Sequence, residues 1–212
     1  MARVAGIAGT KVERLADGWQ LVSLPPDAAR MPPELSSRLD WLPALVPGTV
    51  AAARERSGSW SLAEPAPLHD ADHWYRVRVR GEGCRVLRFH GLATLATVFL
   101  DGREILAAEN MFRRHDVPVT LSGEHELHIR FRALTRALAE PRPAGRWRPR
   151  MMTASALRHV RTTTLGHMPG WCPEVHAVGP WRAVELVTPG PLALVRADVR
   201  AHLDDGTGVV VA

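Results

Sequence analysis

Strict two-residue alternation is the feature that most constrains this chain. In Trp74-Tyr75-Arg76-Val77-Arg78-Val79-Arg80, one face carries Tyr75, Val77 and Val79 and the other carries arginines. Glu126-Leu127-His128-Ile129-Arg130-Phe131-Arg132 alternates even more cleanly. Period two is the mark of a half-buried strand, one face on a core and one in water. Arg85–Phe89 and Ala96–Leu100 read as further strands; the second is apolar on both faces and belongs inside a sheet. Asp101-Gly102 follows it and precedes Arg103-Glu104-Ile105-Leu106. An Asp-Gly pair between strands predicts a type I′ hairpin, because that turn needs positive φ at both central residues. Ser122-Gly123-Glu124-His125 reads as a second turn, separating Val117–Leu121 from the strand that starts at Glu126. Short strands punctuated by turn residues favour an antiparallel sandwich or barrel.

Two regions break the alternation. The first, from Pro25 to Pro47, holds Pro25, Pro26, Pro32, Pro33, Pro43 and Pro47. It is expected to be mostly loop, with one helical turn near Glu34–Leu39. The second runs from Ala133 to Met168. Ala133–Glu140 suits a short helix, and Pro141 to Arg150 reads as an extended cationic excursion, the kind of long irregular segment that is functional or disordered. Thr188-Pro189-Gly190-Pro191 marks a domain boundary. Beyond it Val195, Ala197, Val199, Ala201 and Leu203 alternate with polar residues, Asp204-Asp205-Gly206 turns, and Val209-Val210-Val211 returns. This predicts one sandwich over residues 1–188 and, over 189–212, the first hairpin of an incomplete second sheet domain. A lone hairpin is marginal in water and leaves an edge open to association.

Composition narrows the function classes. Of 212 residues, 46% are hydrophobic and 23% charged, enough to bury a real core. No apolar run is long enough for a transmembrane helix. The start, Met1–Gly9, is too short and too soon followed by Lys11 and Glu13 for a secretory signal, so a cytoplasmic location is expected. The net charge of +5 rests on arginine, with Lys11 the only lysine. Arg76, Arg78, Arg80, Arg130 and Arg132 alternate with apolar residues, so they are expected on solvent faces of strands. The densest stretch, Arg142 to Arg161, carries prolines that forbid a recognition helix, so nucleic acid is not an expected partner. Cys84 and Cys172 form no Cys-x-x-Cys pair and read as reduced, partly buried thiols.

The chemical inventory is sparse. A glycosidase needs two carboxylates flanking the scissile bond, and nothing marks such a pair. Asp70 and Asp72 read as a solvated turn, and Asp204-Asp205 as a hairpin turn. His69 and His73 stand four apart, half a zinc site if they lay on a helix. A strand starts at Trp74 and no third ligand is near in sequence, so no metal and no cofactor are assigned. His128 and His202 are expected on solvent faces. The seven tryptophans are more suggestive, since sugar rings stack their C–H faces on indoles. Trp74 and Trp181, at strand starts, read as core. Trp171 lies in Gly170-Trp171-Cys172-Pro173, a loop suited to function.

Five segments together resemble one known family. They are Trp41 to Val50 with Val46-Pro47-Gly48-Thr49; Trp74-Tyr75-Arg76; Phe89-His90-Gly91-Leu92 through Phe99-Leu100-Asp101-Gly102; Asn110-Met111-Phe112-Arg113; and Gly179-Pro180-Trp181-Arg182-Ala183-Val184. In that order they resemble the amino-terminal domain of glycoside hydrolase family 2, in its β-mannosidase-like branch, over roughly Gly18 to Val187. The resemblance implies a galactose-binding-like jelly-roll β-sandwich followed by the start of an immunoglobulin-like domain. It implies an accessory, sugar-binding role without catalytic residues, the catalytic barrel lying in carboxy-terminal domains or a separate chain. Trp171 is the site residue it points to; if its loop completes a sugar subsite, Asn110 or Arg161 is expected beside it to supply an amide or a guanidinium, with weak binding of carbohydrate. Members of that branch carry Gly-Trp-Asp-Trp-Gly-Pro before the closing strand; here Trp171 matches, but Cys172 stands where the aspartate would be. A free-standing carbohydrate-binding module is the other reading.

Overall fold

The computed structural model describes residues 9–143, 150–152, 154–191 and 198–211. Eight strands form the sandwich: β1 (Lys11–Arg14), β2 (Trp19–Leu24), β3 (Leu42–Ala44), β4 (Asp72–Phe89), β5 (Ala96–Leu100), β6 (Arg103–Ala108), β7 (His115–Phe131) and β8 (Val184–Thr188). Two short helices, α1 (Val50–Arg56) and α2 (Leu134–Leu138), accompany them. Hydrogen bonding runs in the order β1-β8-β4-β7-β5-β6, with β2 also on β4 and β3 on β2.

The centre is one long antiparallel ribbon. β4 pairs with β7 from His73↔Phe131 to Phe89↔His115. Its first part, Asp72 to Arg76, also pairs with β2, whereas Val86 to Phe89 pairs with β8. The carboxy-terminal part of β7 pairs with β5. The two halves of the ribbon thus serve two sheets of a jelly-roll-like sandwich. Tyr75, Val77, Ile129 and Phe131 from one half and Leu87, Phe89 and Leu121 from the other join a single buried cluster. Trp74 points to the opposite face, fully buried with Val22 and Phe99.

The expected turn at Ser122–His125 is not a hairpin tip. The chain runs through it as β7, with Gly123 opposite Gly81. Gly83 and Gly123 have φ of 73° and 87°, a left-handed conformation that only glycine adopts without strain. A Cβ on Gly81 would stand 2.8 Å from Leu121 Cδ1. These glycines mark the corner where the ribbon passes from one sheet to the other, a use of strand glycine that resembles a turn signal in sequence.

The Asp101-Gly102 turn is formed as expected, with φ of 49° and 80° and Leu100 opposite Arg103. Asp205-Gly206 repeats it, with φ of 44° and 81°, between β9 (Arg200–Asp204) and β10 (Thr207–Val211). Among the described residues these last two strands pair only with each other. Val195 and Ala197, the start of the alternation, lie outside the described residues.

The proline-rich stretch departs in detail. Its helical turn is a 3-10 turn at Pro32–Glu34, earlier than Glu34–Leu39, because proline fits the first helical positions. Leu42–Ala44 is a strand on β2 rather than loop. α1 had no sequence expectation; Thr49 caps it by accepting the Ala52 N–H at 3.3 Å. α2 falls within the expected Ala133–Glu140.

Candidate functional site

The family-like segments, far apart in sequence, meet in one knot. Gly48 N–H donates to Pro180 O at 3.0 Å, and Val50 N–H to Val178 O at 2.9 Å. Ala93 and Gly179 exchange two backbone bonds of 3.0 Å, and His90 N–H donates to Ala183 O at 3.0 Å. The Trp181 indole N–H donates to Met111 O at 2.9 Å. The glycines are required by close approach. A Cβ on Gly91 would lie 2.6 Å from Trp181 Nε1 and 2.9 Å from Met111 O, and one on Gly179 would lie 2.8 Å from the Tyr75 hydroxyl. These residues are therefore packing elements, whose types are dictated by contact with one another.

On the knot sit two of the three expected sugar-contacting residues. Asn110 and Arg161 form an isolated parallel bridge, and Met111 N–H donates to Arg161 O at 3.0 Å. Asn110 Oδ1 accepts the Phe112 N–H at 3.0 Å, which leaves its amide N–H groups to donate outward. Arg161 is exposed. Trp171 is 71% exposed, so it is not core. No side-chain hydrogen bond or cation–π contact joins it to Asn110 or Arg161 among the described residues. It rides on the loop that leaves the knot through Thr162 and Thr163, where Thr162 Oγ1 meets Thr94 Oγ1 at 2.6 Å and Thr163 N–H reaches Met111 Sδ at 3.0 Å. Next to it, Cys172 Sγ accepts the Gly166 N–H at 3.2 Å, so the thiol serves the loop's own turn. Cys84 is exposed rather than partly buried. Of the cationic stretch, Trp147 lies outside the described residues.

Several residues expected in solvent are buried. Asp72, expected in a solvated turn, is 1% exposed; its carboxylate accepts from Arg130 Nη2 at 2.6 Å, Arg130 Nε at 3.0 Å and Ala133 N at 2.8 Å. Arg130, expected on a solvent face, is the buried partner and also reaches Asp27 at 2.8 Å. That hydrogen bond is the main reason the Asp27 carboxyl is held below its ordinary pKa. With every contact committed inward, Asp72 cannot act as an acid or base on a sugar. His128 is also buried, against Trp74, and desolvation lowers its pKa. Each of these sits on the outer face of its strand by alternation, but a second layer of loop covers that face.

The histidine pair suggested by sequence is not a pair. His73 is buried, with Nδ1 against Ser23 Oγ at 2.8 Å and Nε2 against Leu68 O at 2.7 Å. Burial pushes its pKa down to about 4. His69 instead stacks on His176, with centroids 4.3 Å apart and planes 10° apart, and on His167 at 5.0 Å. His167 and His176 are 4.7 Å apart. Burial lowers all three, His69 to about 2 and His167 to about 4, and the rings disfavour protonation of one another. No spacing rule could have found this trio, since two members come from an irregular loop.

A second concavity, of about 350 Å³, is lined by Trp41, Arg76, Asp101, Glu126 and His128. The Arg76 guanidinium lies 4.0 Å over the Trp41 ring and occupies one face that a sugar would stack on.

Residues 28–182 match the family described as glycosyl hydrolase 2 galactose-binding domain-like. The chain is 41% identical over 112 residues to a beta-mannosidase B of Thermothelomyces thermophilus, covering 50% of this chain and 13% of that protein. It is 37% identical over 107 residues to the beta-mannosidase B of Emericella nidulans, again covering 13% of the relative. The chain therefore spans about an eighth of the curated relatives it matches. In structure it is similar to a β-D-mannosidase of Dictyoglomus thermophilum, with a TM-score of 0.63 and 21% identity over 83% of this chain and 22% of that one. A beta-glucuronidase of an uncultured Clostridium shares the fold at a TM-score of 0.59 and 15% identity, over 99% of this chain and 34% of its own. Both solved structures show the fold alone.

Proposed function

Because the chain belongs to the glycosyl hydrolase 2 galactose-binding domain-like family, we propose that it is the amino-terminal accessory domain of a β-mannosidase-like glycoside hydrolase. In this reading residues 1–188 are the sugar-side sandwich and 189–212 begin an immunoglobulin-like domain. The carboxylate pair belongs to a barrel carried by further domains or by a separate chain. The protein works in the cytoplasm; among the described residues no helix is long and apolar enough to cross a membrane. Asn110 and Arg161 offer an amide and a guanidinium to sugar hydroxyls, and Trp171 offers an indole face. With one wall of the cleft supplied by the barrel, sugar affinity of the chain alone is weak, around millimolar.

The observation that carries the reading is the contrast around the knot: Trp171 stands 71% exposed on a loop that begins just after the Asn110–Arg161 bridge and is rooted on Thr94 and Met111. The test combines two measurements on the 212-residue chain. Assays with aryl β-mannoside, β-galactoside and β-glucuronide are expected to show no turnover above buffer. An NMR titration with mannose is expected to shift the Trp171 indole resonance only at millimolar sugar. Turnover abolished by a substitution in this chain would overturn the reading. Micromolar binding by the chain alone would favour a free-standing carbohydrate-binding module.

A further inference from the structure

We propose that His69, His167 and His176 bind one divalent transition-metal ion of the zinc class, clamping the loop that carries Trp171 to the segment leading into β4. One ligand atom from each of the three lies within 4.8 Å of the others. His69 and His167 are 6% exposed and His176 is half-buried, so the cluster is sheltered but reachable. Neutral imidazole is a preferred ligand for zinc, copper and nickel, whereas calcium and magnesium call for oxygen. A neutral imidazole has one ring nitrogen with a lone pair to offer a metal, and in His176 that nitrogen, Nδ1, is the one facing Leu68.

The surroundings suit a bound cation. Asp70 and Glu174 both act on His176 by charge, so two carboxylates lie where they offset added positive charge. The fourth position falls to water or to one of these carboxylates. Zinc at about 2.0–2.1 Å from each nitrogen would bring the nitrogens to roughly 3.4 Å apart. The stacked rings must therefore fan inward by about an ångström. Nδ1 of His176 now accepts the Leu68 N–H at 3.3 Å, a long contact that ligation displaces or reorients.

The arrangement also has a topological logic. His69 precedes β4, while His167, directly after Gly166, and His176 bracket the loop holding Gly170 and Trp171. Among the described residues that loop is irregular, and Gly166 and Gly170 have φ of 86° and 78°. One metal would cross-link it to the sandwich at two points nine residues apart, ordering the base of Trp171 without touching the indole.

The experiment titrates the full, tag-free, chelator-stripped chain with Zn²⁺ by calorimetry and with Co²⁺ by visible absorption. One equivalent of Zn²⁺ per chain is expected, together with the intense visible bands of tetrahedral cobalt. His167→Gln and His176→Gln should each weaken Zn²⁺ binding at least tenfold, whereas His202→Gln, on the β9–β10 hairpin, should leave it unchanged. Should a substituted chain lose its fold by circular dichroism, ring-nitrogen NMR of the unsubstituted chain decides instead. There Zn²⁺ is expected to shift the ring nitrogens of His69, His167 and His176 and the Leu68 amide. Failure of Zn²⁺ to bind, or binding that ignores these substitutions and leaves the three rings unshifted, would overturn the proposal.

Discussion

The knot and the loop that leaves it are neighbours built on opposite terms. In the knot each residue type is dictated by its contacts: Gly91 because Trp181 Nε1 occupies the space of a Cβ, Trp181 because Met111 O needs its N–H. Ten residues beyond Arg161, Trp171 is mostly in solvent. The lesson is that the signature segments of this family hold one another as a scaffold, whereas Trp171 stands outside that packing. This accounts for a chain that keeps the signature while placing Cys172 where an aspartate would be expected.

Four measurements would sharpen or break this contrast. The largest effect is expected from Asp72→Ala, which takes from the buried Arg130 guanidinium its buried carboxylate, leaving it only Asp27, and strands the Ala133 N–H. Urea unfolding should show a loss of about 3–5 kcal/mol. A loss below 1 kcal/mol would mean that water reaches this pair. Next is Gly91→Ala, whose Cβ would meet Trp181 Nε1 at 2.6 Å. The expected cost is about 1–3 kcal/mol, typical of overpacking, and a neutral result would show that the knot yields.

Acid should act through His73, whose pKa of about 4 in the fold lies below the ordinary histidine value of 6.5. The unfolded chain then takes up a proton that the folded chain refuses. Its contribution to stability is complete above pH 6.5 and is lost as pH falls toward 4, with a slope of about 1.4 kcal/mol per pH unit. Burial sets this direction; Arg54 reinforces it and Asp72 opposes it. The urea midpoint of His73→Gln, followed over the same range, should fall less steeply by that amount. The smallest effect on stability is expected from Trp171→Ala, within about ±0.5 kcal/mol, as for exposed positions generally. The same substitution should remove the weak mannose response, and an unfolded variant would place Trp171 in the scaffold after all.

Much of the scaffold was legible in the sequence. Alternation located parts of β4 and β7, an unbroken apolar run located β5, and the two Asp-Gly turns formed as turn chemistry requires. What escaped notice were the places where a second layer covers the first. Alternation assigned Arg130 and His128 to the outer face, which is where their strand puts them, but the proline-rich stretch and the start of α2 close over that face. Burial there is a property of the loop, which carries no periodicity. Glycine misled in the same way, because a corner and a hairpin tip demand the same φ. Asn110 and Arg161 are joined by a backbone bridge across fifty residues, and the histidine trio by a fold back of nearly a hundred, distances over which spacing says nothing.

The ribbon of β4 and β7 belongs to both sheets, and this governs how the protein can come apart. Neither sheet can dissolve while the other stays, since each would have to take half of the same two strands with it. Amide protons from His73 to Phe89 and from His115 to Phe131 should therefore exchange together, at the rate of global opening. Peripheral β3 and the β9–β10 hairpin have no share in that pairing, and their amides should exchange far sooner. A molecule whose two layers share one spine has no half-folded form to offer a protease.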